Sequence, residues 1–185
     1  MNLFEIAVLA VALAFDLSGM CLASGILLRK AGSAESIRFL FVLISIQVML
    51  FFAGLMVGAT LYFLIGRMGQ WIALILFTGT GFKILFKSFQ LNSGEKVFET
   101  FEFKTMIIPA LAASINAFII ASGIGFLSPD IPKSMLVMGV ITFLFTTALF
   151  YVGKIKGPSA LKLRLGSLSG LILVAAGLHL YIKLI

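Results

Sequence analysis

Apolar residues along the chain fall into six long runs separated by short polar connections. Each run is close to the roughly 20 apolar residues that a helix needs to cross the hydrocarbon core of a bilayer. The pattern therefore predicts six membrane-spanning helices. They cover residues 4–28, 39–65, 71–89, 106–127, 134–152 and 165–183.

The composition supports this interpretation. Hydrophobic residues make up 61% of the 185 residues and charged residues only 11%, and the mean hydropathy is +1.18. A soluble domain of this length could not cover so much apolar surface. The predicted fold class is therefore an all-α integral membrane protein surrounded by lipid. The first run has no Lys or Arg ahead of it and five runs follow it, so we interpret it as a span and not as a cleaved signal peptide.

The basic residues predict an orientation. The net charge is +7, but Lys and Arg occupy the short connections and form no basic domain, so nucleic acid is not an expected partner. The first, third and fifth connections carry ten of these residues, and the opposite side carries three. Cytoplasmic loops of membrane proteins are enriched in Lys and Arg. Both termini are therefore predicted to lie outside the cytoplasm.

The second half of the sequence repeats the first. Residues 11–26 match residues 109–124 at seven positions, including an identical ASGI tetrapeptide. Each half has three spans, an odd number, so the halves must be inserted in opposite directions. Inverted repeats of this kind are frequent in secondary transporters. The predicted organisation is one three-helix repeat over residues 1–89, a polar cytoplasmic loop over 90–105, and a second repeat over 106–185.

One acid lies in the middle of the first run. Asp16 is the thirteenth residue of that run, too deep for its short side chain to reach either surface. An ionised carboxylate there costs several kcal/mol unless it is paired, hydrated, metal-bound or protonated. We interpret Asp16 as a substrate or proton site. The alternative is a protonated Asp that makes one structural hydrogen bond between helices.

Other polar residues lie at similar depth. A shift of 98 residues between the halves pairs Asp16 with Ser114, whereas a shift of 100 pairs it with Asn116, and a shift of 95 pairs Gln47 with Thr142. Amides in membrane spans often only join helices, so structure and function are equally good explanations for Asn116 and Gln47. Thr142 can also satisfy its hydroxyl on its own helix.

Two basic side chains correspond to each other under a shift of 96 residues, Lys83 and His179. Lys83 is near the cytoplasmic end of its span, where a long side chain can reach the interface. His179 lies near the outer face and can titrate or simply pack. We assign both to a proton or gating role, with those structural roles as the alternatives. Met20 and Cys21 are soft metal ligands beside Asp16, although packing explains them better.

Several functions are not expected. The single cysteine excludes an internal disulfide and a cysteine-based zinc cluster. The sequence contains no hydrolase triad, phosphate-binding loop or haem site. We therefore predict neither an enzyme nor a bound cofactor.

Four segments resemble a known family. They are AFDLSGMCLASGI, ASINAFIIASGIGF, WIALILFTGTGFKILFKSF and GSLSGLILVAAGLHLYIK. The layout is similar to that of the bacterial manganese efflux pumps of the MntP type, within the lysine exporter superfamily. The resemblance implies six spans in two halves and a secondary transporter of the bacterial inner membrane that exports Mn²⁺.

The departures from the family pattern concern its acids. The family has an acid in the first span of each half and another in the second span. Here the first remains as Asp16, whereas Asn116 and Gln47 occupy the other two positions. The resemblance implies that Asp16 is the central metal ligand, that Asn116 and Gln47 are neutral oxygen ligands, and that Thr142 is a fourth donor.

The loss of two negative charges leaves the substrate open. Mn²⁺ favours oxygen-rich sites, and one carboxylate neutralises a divalent ion poorly. The leading hypothesis is export of a divalent cation, Mn²⁺, by alternating access, with coupling to protons or to the membrane potential undecided. The alternatives are a same-fold exporter of a monovalent or small organic cation, and a membrane assembly or regulatory protein that transports nothing.

Overall fold

A computed structural model describes residues 3–30, 32–90, 103–127, 130–156 and 165–184. Every regular element within these ranges is helical. Two short 3₁₀ turns, Leu28–Lys30 and Gly66–Met68, follow α2 and α3. The helices are α1 (Leu3–Asp16), α2 (Ser18–Leu27), α3 (Ser33–Ile65), α4 (Gly69–Gln90), α5 (Phe103–Gly125), α6 (Ile131–Lys156) and α7 (Leu165–Leu184).

The helices follow the apolar runs. Most extend a few residues beyond the predicted spans because polar residues form their terminal turns, as in the first turn of α3. Among the described residues, three helices are long and apolar enough to cross a membrane: Ser33–Ile65, Gly69–Phe86 and Ile131–Lys156. The bent pair α1 and α2 makes a fourth span if it is counted as one. The apolar stretches of α5 and α7, Ala110–Gly125 and Ser167–His179, are shorter.

The first predicted span differs from the expectation of one continuous helix. The chain bends by 42° between α1 and α2, with Leu17 between the two helices. Small residues, Ser18 and Gly19, follow the bend directly. Sharp kinks without proline occur at such Ser and Gly positions, where few side-chain atoms oppose bending. The sequence pattern missed the break because apolar residues continue on both sides of the short Asp16–Gly19 stretch.

The predicted loop over residues 90–105 is only partly covered. Helix α4 ends at Gln90 and α5 begins at Phe103, whereas residues 91–102 lie outside the described residues.

Helices α3 and α5 pack side by side and run parallel. A Cβ added at Gly54 would meet the carbonyl of Phe118, and one at Gly58 would meet the carbonyl of Ser122. Positions on both helices therefore advance together. The missing side chains allow the two backbones to approach closely, which is the common mode of helix packing in membranes.

The bent pair packs on α6 in the same manner. A Cβ at Gly25 would collide with the carbonyl of Phe150, and one at Gly153 with the carbonyl of Leu22. Further along, the rings of Phe15 and Phe145 meet edge to face with centroids 5.4 Å apart. The contacts at both ends of the pair make α1, α2 and α6 parallel.

The third pair of helices is antiparallel. On α4, a Cβ at Gly81 would meet Val174 of α7, whereas a Cβ at Gly177 of α7 would meet Thr78 of α4. Rising numbers on one helix therefore match falling numbers on the other. Each of the last three helices thus packs closely on a helix from the first part of the chain.

The core consists of two separate apolar clusters. The first cluster draws on α1, α3, α4, α5, α6 and α7, and includes Leu13, Phe51, Ala117 and Met138. The second cluster includes Leu17, Leu43, Ala110 and Phe150. Each of α1–α2, α3, α5 and α6 contributes to both clusters, one after the other along its length.

Candidate functional site

A layer of polar side chains separates the two apolar clusters. On α3, Gln47 lies between Leu43 of the second cluster and Phe51 of the first. The same order holds on the other helices that contribute to both clusters. We call these residues the polar layer: Asp16, Gln47, Asn116, Thr142 and Thr146.

Asp16 lies at the bend of the first span. It is the last residue of α1, and Leu17 separates it from the first residue of α2. A broken helix leaves backbone groups that its own hydrogen bonds do not all use, and transporters place such breaks at their substrate sites. The single carboxylate of the layer therefore lies at the 42° bend between α1 and α2.

Asn116 reaches Asp16 from the other half of the sequence. Its amide nitrogen Nδ2 donates a hydrogen bond of 2.8 Å to Oδ2 of Asp16. Ser114, the alternative partner under the shift of 98 residues, instead donates its hydroxyl to the carbonyl of Ala110 on its own helix. The shift of 100 residues is thus the one that brings two polar side chains together.

Lys83 joins this pair from α4. Its Nζ donates a hydrogen bond of 3.0 Å to Oδ1 of Asn116. The ammonium thus turns toward the polar layer, in contrast to the alternative that it reaches out to the membrane interface. Because Asn116 accepts from Lys83 and donates to Asp16, the three side chains form one continuous chain of hydrogen bonds across α4, α5 and α1.

Gln47 and Thr142 are buried members of the polar layer whose side-chain oxygens do not join this chain of bonds. Gln47 is 1% exposed and Thr142 is fully buried. Neither Oε1 of Gln47 nor Oγ1 of Thr142 has a hydrogen-bond partner. Thr142 therefore does not use its own helix carbonyl, as the sequence had suggested it could. Buried oxygens left without partners cost free energy, and they are available to a cation that enters the layer.

Thr146 is a member of the layer that the sequence analysis did not single out. It is fully buried one helical turn beyond Thr142. Its hydroxyl lies beside the buried thiol of Cys21 but makes no hydrogen bond within ordinary distance and angle limits. The spacing of four residues from Thr142 was the signal that could have identified it, since such residues share a helix face.

His179 lies outside the layer. Its Nε2 is 3.6 Å from Oε1 of Glu5, two residues from the beginning of α1. The side chain of His179 is 64% exposed. The correspondence between Lys83 and His179 in the two halves therefore does not extend to their contacts.

The donor set is poor in negative charge. Among the described residues, no group of three or more His, Cys, Asp or Glu side chains could hold a metal ion. Asp16 supplies one negative charge to the layer, and the ammonium of Lys83 supplies one positive charge through Asn116. Any cation at this place would meet one carboxylate and several neutral oxygens.

Comparison with known proteins identifies the family. A family model described as "Mntp: Putative manganese efflux pump" matches residues 30–181. No solved structure matches the chain significantly.

Three similar proteins carry that same description together with the name MntP. The relative from Clostridium botulinum (strain Hall) is 27% identical over 99% of this chain and 96% of its own length. The one from Nitratidesulfovibrio vulgaris (strain DP4) is 28% identical over 97% and 90%. The one from Methanosphaera stadtmanae is 28% identical over 84% and 86%. The resemblance noted in the sequence is thereby confirmed: this chain is a multi-pass membrane protein and belongs to the manganese efflux pump family, a family of transporters and not of enzymes.

Proposed function

We propose that the protein is a secondary transporter that exports a divalent cation, Mn²⁺ in the first place, by alternating access around Asp16. Asp16 is the charged ligand of the transported ion. Oδ1 of Asn116, Oε1 of Gln47 and the hydroxyl of Thr142 are its neutral ligands, and Thr146 is a further donor. Mn²⁺ accepts carboxylate, carbonyl and water oxygens, so this donor set fits it chemically.

The polar layer is the observation that carries this proposal. Gln47, Thr142 and Thr146 hold buried oxygens without partners between two apolar clusters. Such oxygens are costly in a low-dielectric interior. A transported cation would satisfy them, whereas helix packing alone does not need them.

Alternating access requires two halves that move against each other. We propose six spans in two inverted repeats, over residues 1–89 and 106–185, with α1 and α2 as one broken span. The close contacts support this arrangement, because exchanging the halves maps them onto one another. The contact between α2 and α6 at Gly25 and Gly153 has its counterpart between α5 and α3 at Gly125 and Gly58.

The orientation follows from the charges. The contact between Lys154 and Ser36, with Nζ donating to Oγ at 2.9 Å, and the contact of Gly69 with Phe126 lie at opposite ends of the helices. The first of these ends carries the excess of Lys and Arg. We propose that this end is cytoplasmic, that both termini are outside, and that the host membrane is the bacterial inner membrane.

A second candidate function is favoured by the charge balance. Asp16 is linked through one amide to Lys83, so the net charge of the three side chains is zero before any substrate enters. A site of that charge fits a monovalent or small organic cation better than a divalent one. The second candidate is therefore an exporter of the same architecture with such a substrate.

A flux survey with purified protein in liposomes tests the proposal. Vesicles are loaded with Mn²⁺, Ca²⁺, K⁺ or an organic cation. Release of the cation is compared with its release from equally loaded vesicles that contain no protein. The proposal expects Mn²⁺ release that depends on the protein. Release of only the monovalent or organic cations would support the second candidate, and release of none would favour a protein that assembles or regulates without transporting.

A further inference from the structure

Lys83 brings a positive charge to the place where a transported cation is proposed to bind. In a membrane span, a lysine ammonium normally reaches the interface, where water solvates it. Here Nζ bonds Oδ1 of Asn116, in the polar layer and one amide away from Asp16. By exposed area, Lys83 belongs to the outer surface of α4, so its inward hydrogen bond needs an attractive partner.

The amide of Asn116 is well suited to join the two charges. Its carbonyl oxygen faces the ammonium of Lys83, and its NH₂ group faces the carboxylate of Asp16. The opposite orientation would place donors against the ammonium, which has no acceptor. Each charge therefore fixes the amide in the orientation that stabilises the other charge. An ionised aspartate at position 116 could not donate to Asp16 and would pair with Lys83 alone.

We propose that the ammonium of Lys83 is a tethered counter-ion of Asp16. In the substrate-free transporter it supplies the positive charge that the transported cation supplies in the loaded one. A cation entering the polar layer displaces the ammonium from Asn116, whose oxygen then becomes available as a ligand. This inference rests on the cation site proposed above.

The counter-ion allows the transporter to change conformation without a bound cation, although Asp16 is the only acid of the polar layer. A lone ionised carboxylate inside the membrane is expensive, so an unloaded site needs compensation before the halves can rearrange. Lys83 provides it without a second ion. The same charge must oppose substrate binding, and Coulomb repulsion grows in proportion to the charge of the substrate. Lys83 therefore penalises a divalent cation more than a monovalent one.

The binding test replaces Lys83 by an apolar side chain of similar length. Lys83→Met should bind Mn²⁺ at least about tenfold more tightly than the parent, a change of about 1.4 kcal/mol. Its K⁺ affinity should also rise, by about half as much on a logarithmic scale. Lys83→Arg, which keeps the charge, should stay close to the parent. Lys154→Met is the matched control, because it removes a lysine that bonds Ser36 away from the layer. Isothermal titration calorimetry measures all four proteins.

A melting test examines the link without any substrate. Asp16→Asn, Lys83→Met and the double variant are compared with the parent in a double-mutant cycle. If Lys83 is the counter-ion of Asp16, the melting temperature of the double variant should be higher than the value obtained by adding the changes of the two single variants. Additive effects would overturn the proposal. It would also be overturned if the parent binds Mn²⁺ measurably and Lys83→Met binds it no more tightly.

The two proposals fail in different ways. If neither the parent nor Lys83→Met binds Mn²⁺ while the melting cycle is non-additive, the proposed Mn²⁺ function is wrong and the pairing of Lys83 with Asp16 stands. If Mn²⁺ binds but the cycle is additive, the proposed function stands and the tethered counter-ion is wrong.

Discussion

The two helices that open the halves of the chain are similar in sequence but differ in backbone. Both contain the ASGI tetrapeptide, and their polar residues at positions 16 and 116 touch. Yet the first is broken into α1 and α2 with a bend of 42°, whereas α5 continues through Asn116 to Gly125. The charged residue is at the break, and the amide is in the intact helix.

This difference indicates a division of work between the halves. A break gives Asp16 nearby backbone groups that can help to bind an ion. An intact helix holds the amide of Asn116 in a fixed position between Asp16 and Lys83. If Lys83 is the counter-ion of Asp16, as proposed above, the second half needs no carboxylate of its own. The amide of Asn116 links the ammonium of Lys83 to the carboxylate of Asp16 through two hydrogen bonds.

Making the two positions chemically alike should have the largest effect. Asp16→Asn removes the only acid of the layer, and Mn²⁺ release from liposomes should fall by about 100-fold or more, as expected if the lost charge contact is worth about 3 kcal/mol. Glu5→Gln is the matched control, since it removes an acid from the beginning of the same helix and should retain most of the flux. Flux in Asp16→Asn equal to that of the control would contradict a cation site at Asp16.

Adding an acid to the intact helix should sharpen the comparison. Asn116→Asp should tighten Mn²⁺ binding in the parent through its added negative charge. The gain should be only several-fold, because Lys83 neutralises part of that charge. The same change in Lys83→Met should give about tenfold or more, corresponding to at least about 1.4 kcal/mol, and Gln47→Glu should extend the gain. Calorimetric titration measures each variant.

The control for this prediction is Ser114→Asp, which places the acid two residues away. Ser114 bonds its own helix, so no gain in affinity is expected there once thermal melting shows that the variant is folded. A gain at Ser114 equal to that at Asn116 would mean that the shift of 98 residues, and not 100, relates the halves at this site.

The close helix contacts should be equally sensitive in both halves. A Cβ at Gly25 or at Gly125 would collide with backbone atoms of α6 or α3, so each Gly→Ala change should destabilise the protein by about 1–3 kcal/mol. Gly79→Ala and Gly139→Ala are the controls, because a Cβ there meets nothing within 4 Å. They should gain about 0.5–1 kcal/mol through helix propensity. Denaturant titration in detergent measures all four, and a neutral Gly125→Ala would break the correspondence between the halves.

The smallest effect concerns a surface ion pair at the N-terminus of α6. A hydrogen bond from Lys133, 2.6 Å away, lowers the pKa of Asp130 below its ordinary value of 3.8. Because the pKa is lowered on folding, the stabilisation is present above the unfolded pKa and is lost as the pH falls through the folded pKa. Lys133→Met removes the side-chain hydrogen bond and the charge, so the pKa of Asp130 should rise toward its ordinary value. A carboxyl ¹³C titration by NMR measures it, and an unchanged pKa would show that the pair does not form in solution.

The sequence predicted the parts of the structure that depend on composition and periodicity. The apolar runs located the helices, since their positions depend on hydrophobicity over many residues. The depth of Asp16 and Asn116 along their runs could also be counted. The break at Leu17 could not be predicted, because Ser and Gly occur in straight spans as well and tertiary packing decides between bent and straight.

The direction of Lys83 and the membership of Thr146 were also beyond the sequence. A lysine side chain is long enough to reach either the interface or a neighbouring helix, and the position of Asn116 on α5 decides between them. Thr146 is distinguished by its burial on the face of α6 that packs beside Cys21 of α2. Both depend on the register between helices, which apolar patterns do not specify.

The central claim is that the transported cation binds at Asp16 between the two apolar clusters. Anomalous X-ray scattering at the manganese edge, from crystals of the protein grown with Mn²⁺, tests it most directly. We expect one strong anomalous peak at roughly 2.0–2.6 Å from a carboxylate oxygen of Asp16, the distance typical of hard divalent cations. Nζ of Lys83 should no longer bond Asn116 in these crystals. A strongest peak elsewhere, such as between Glu5 and His179, with none at Asp16, would contradict it.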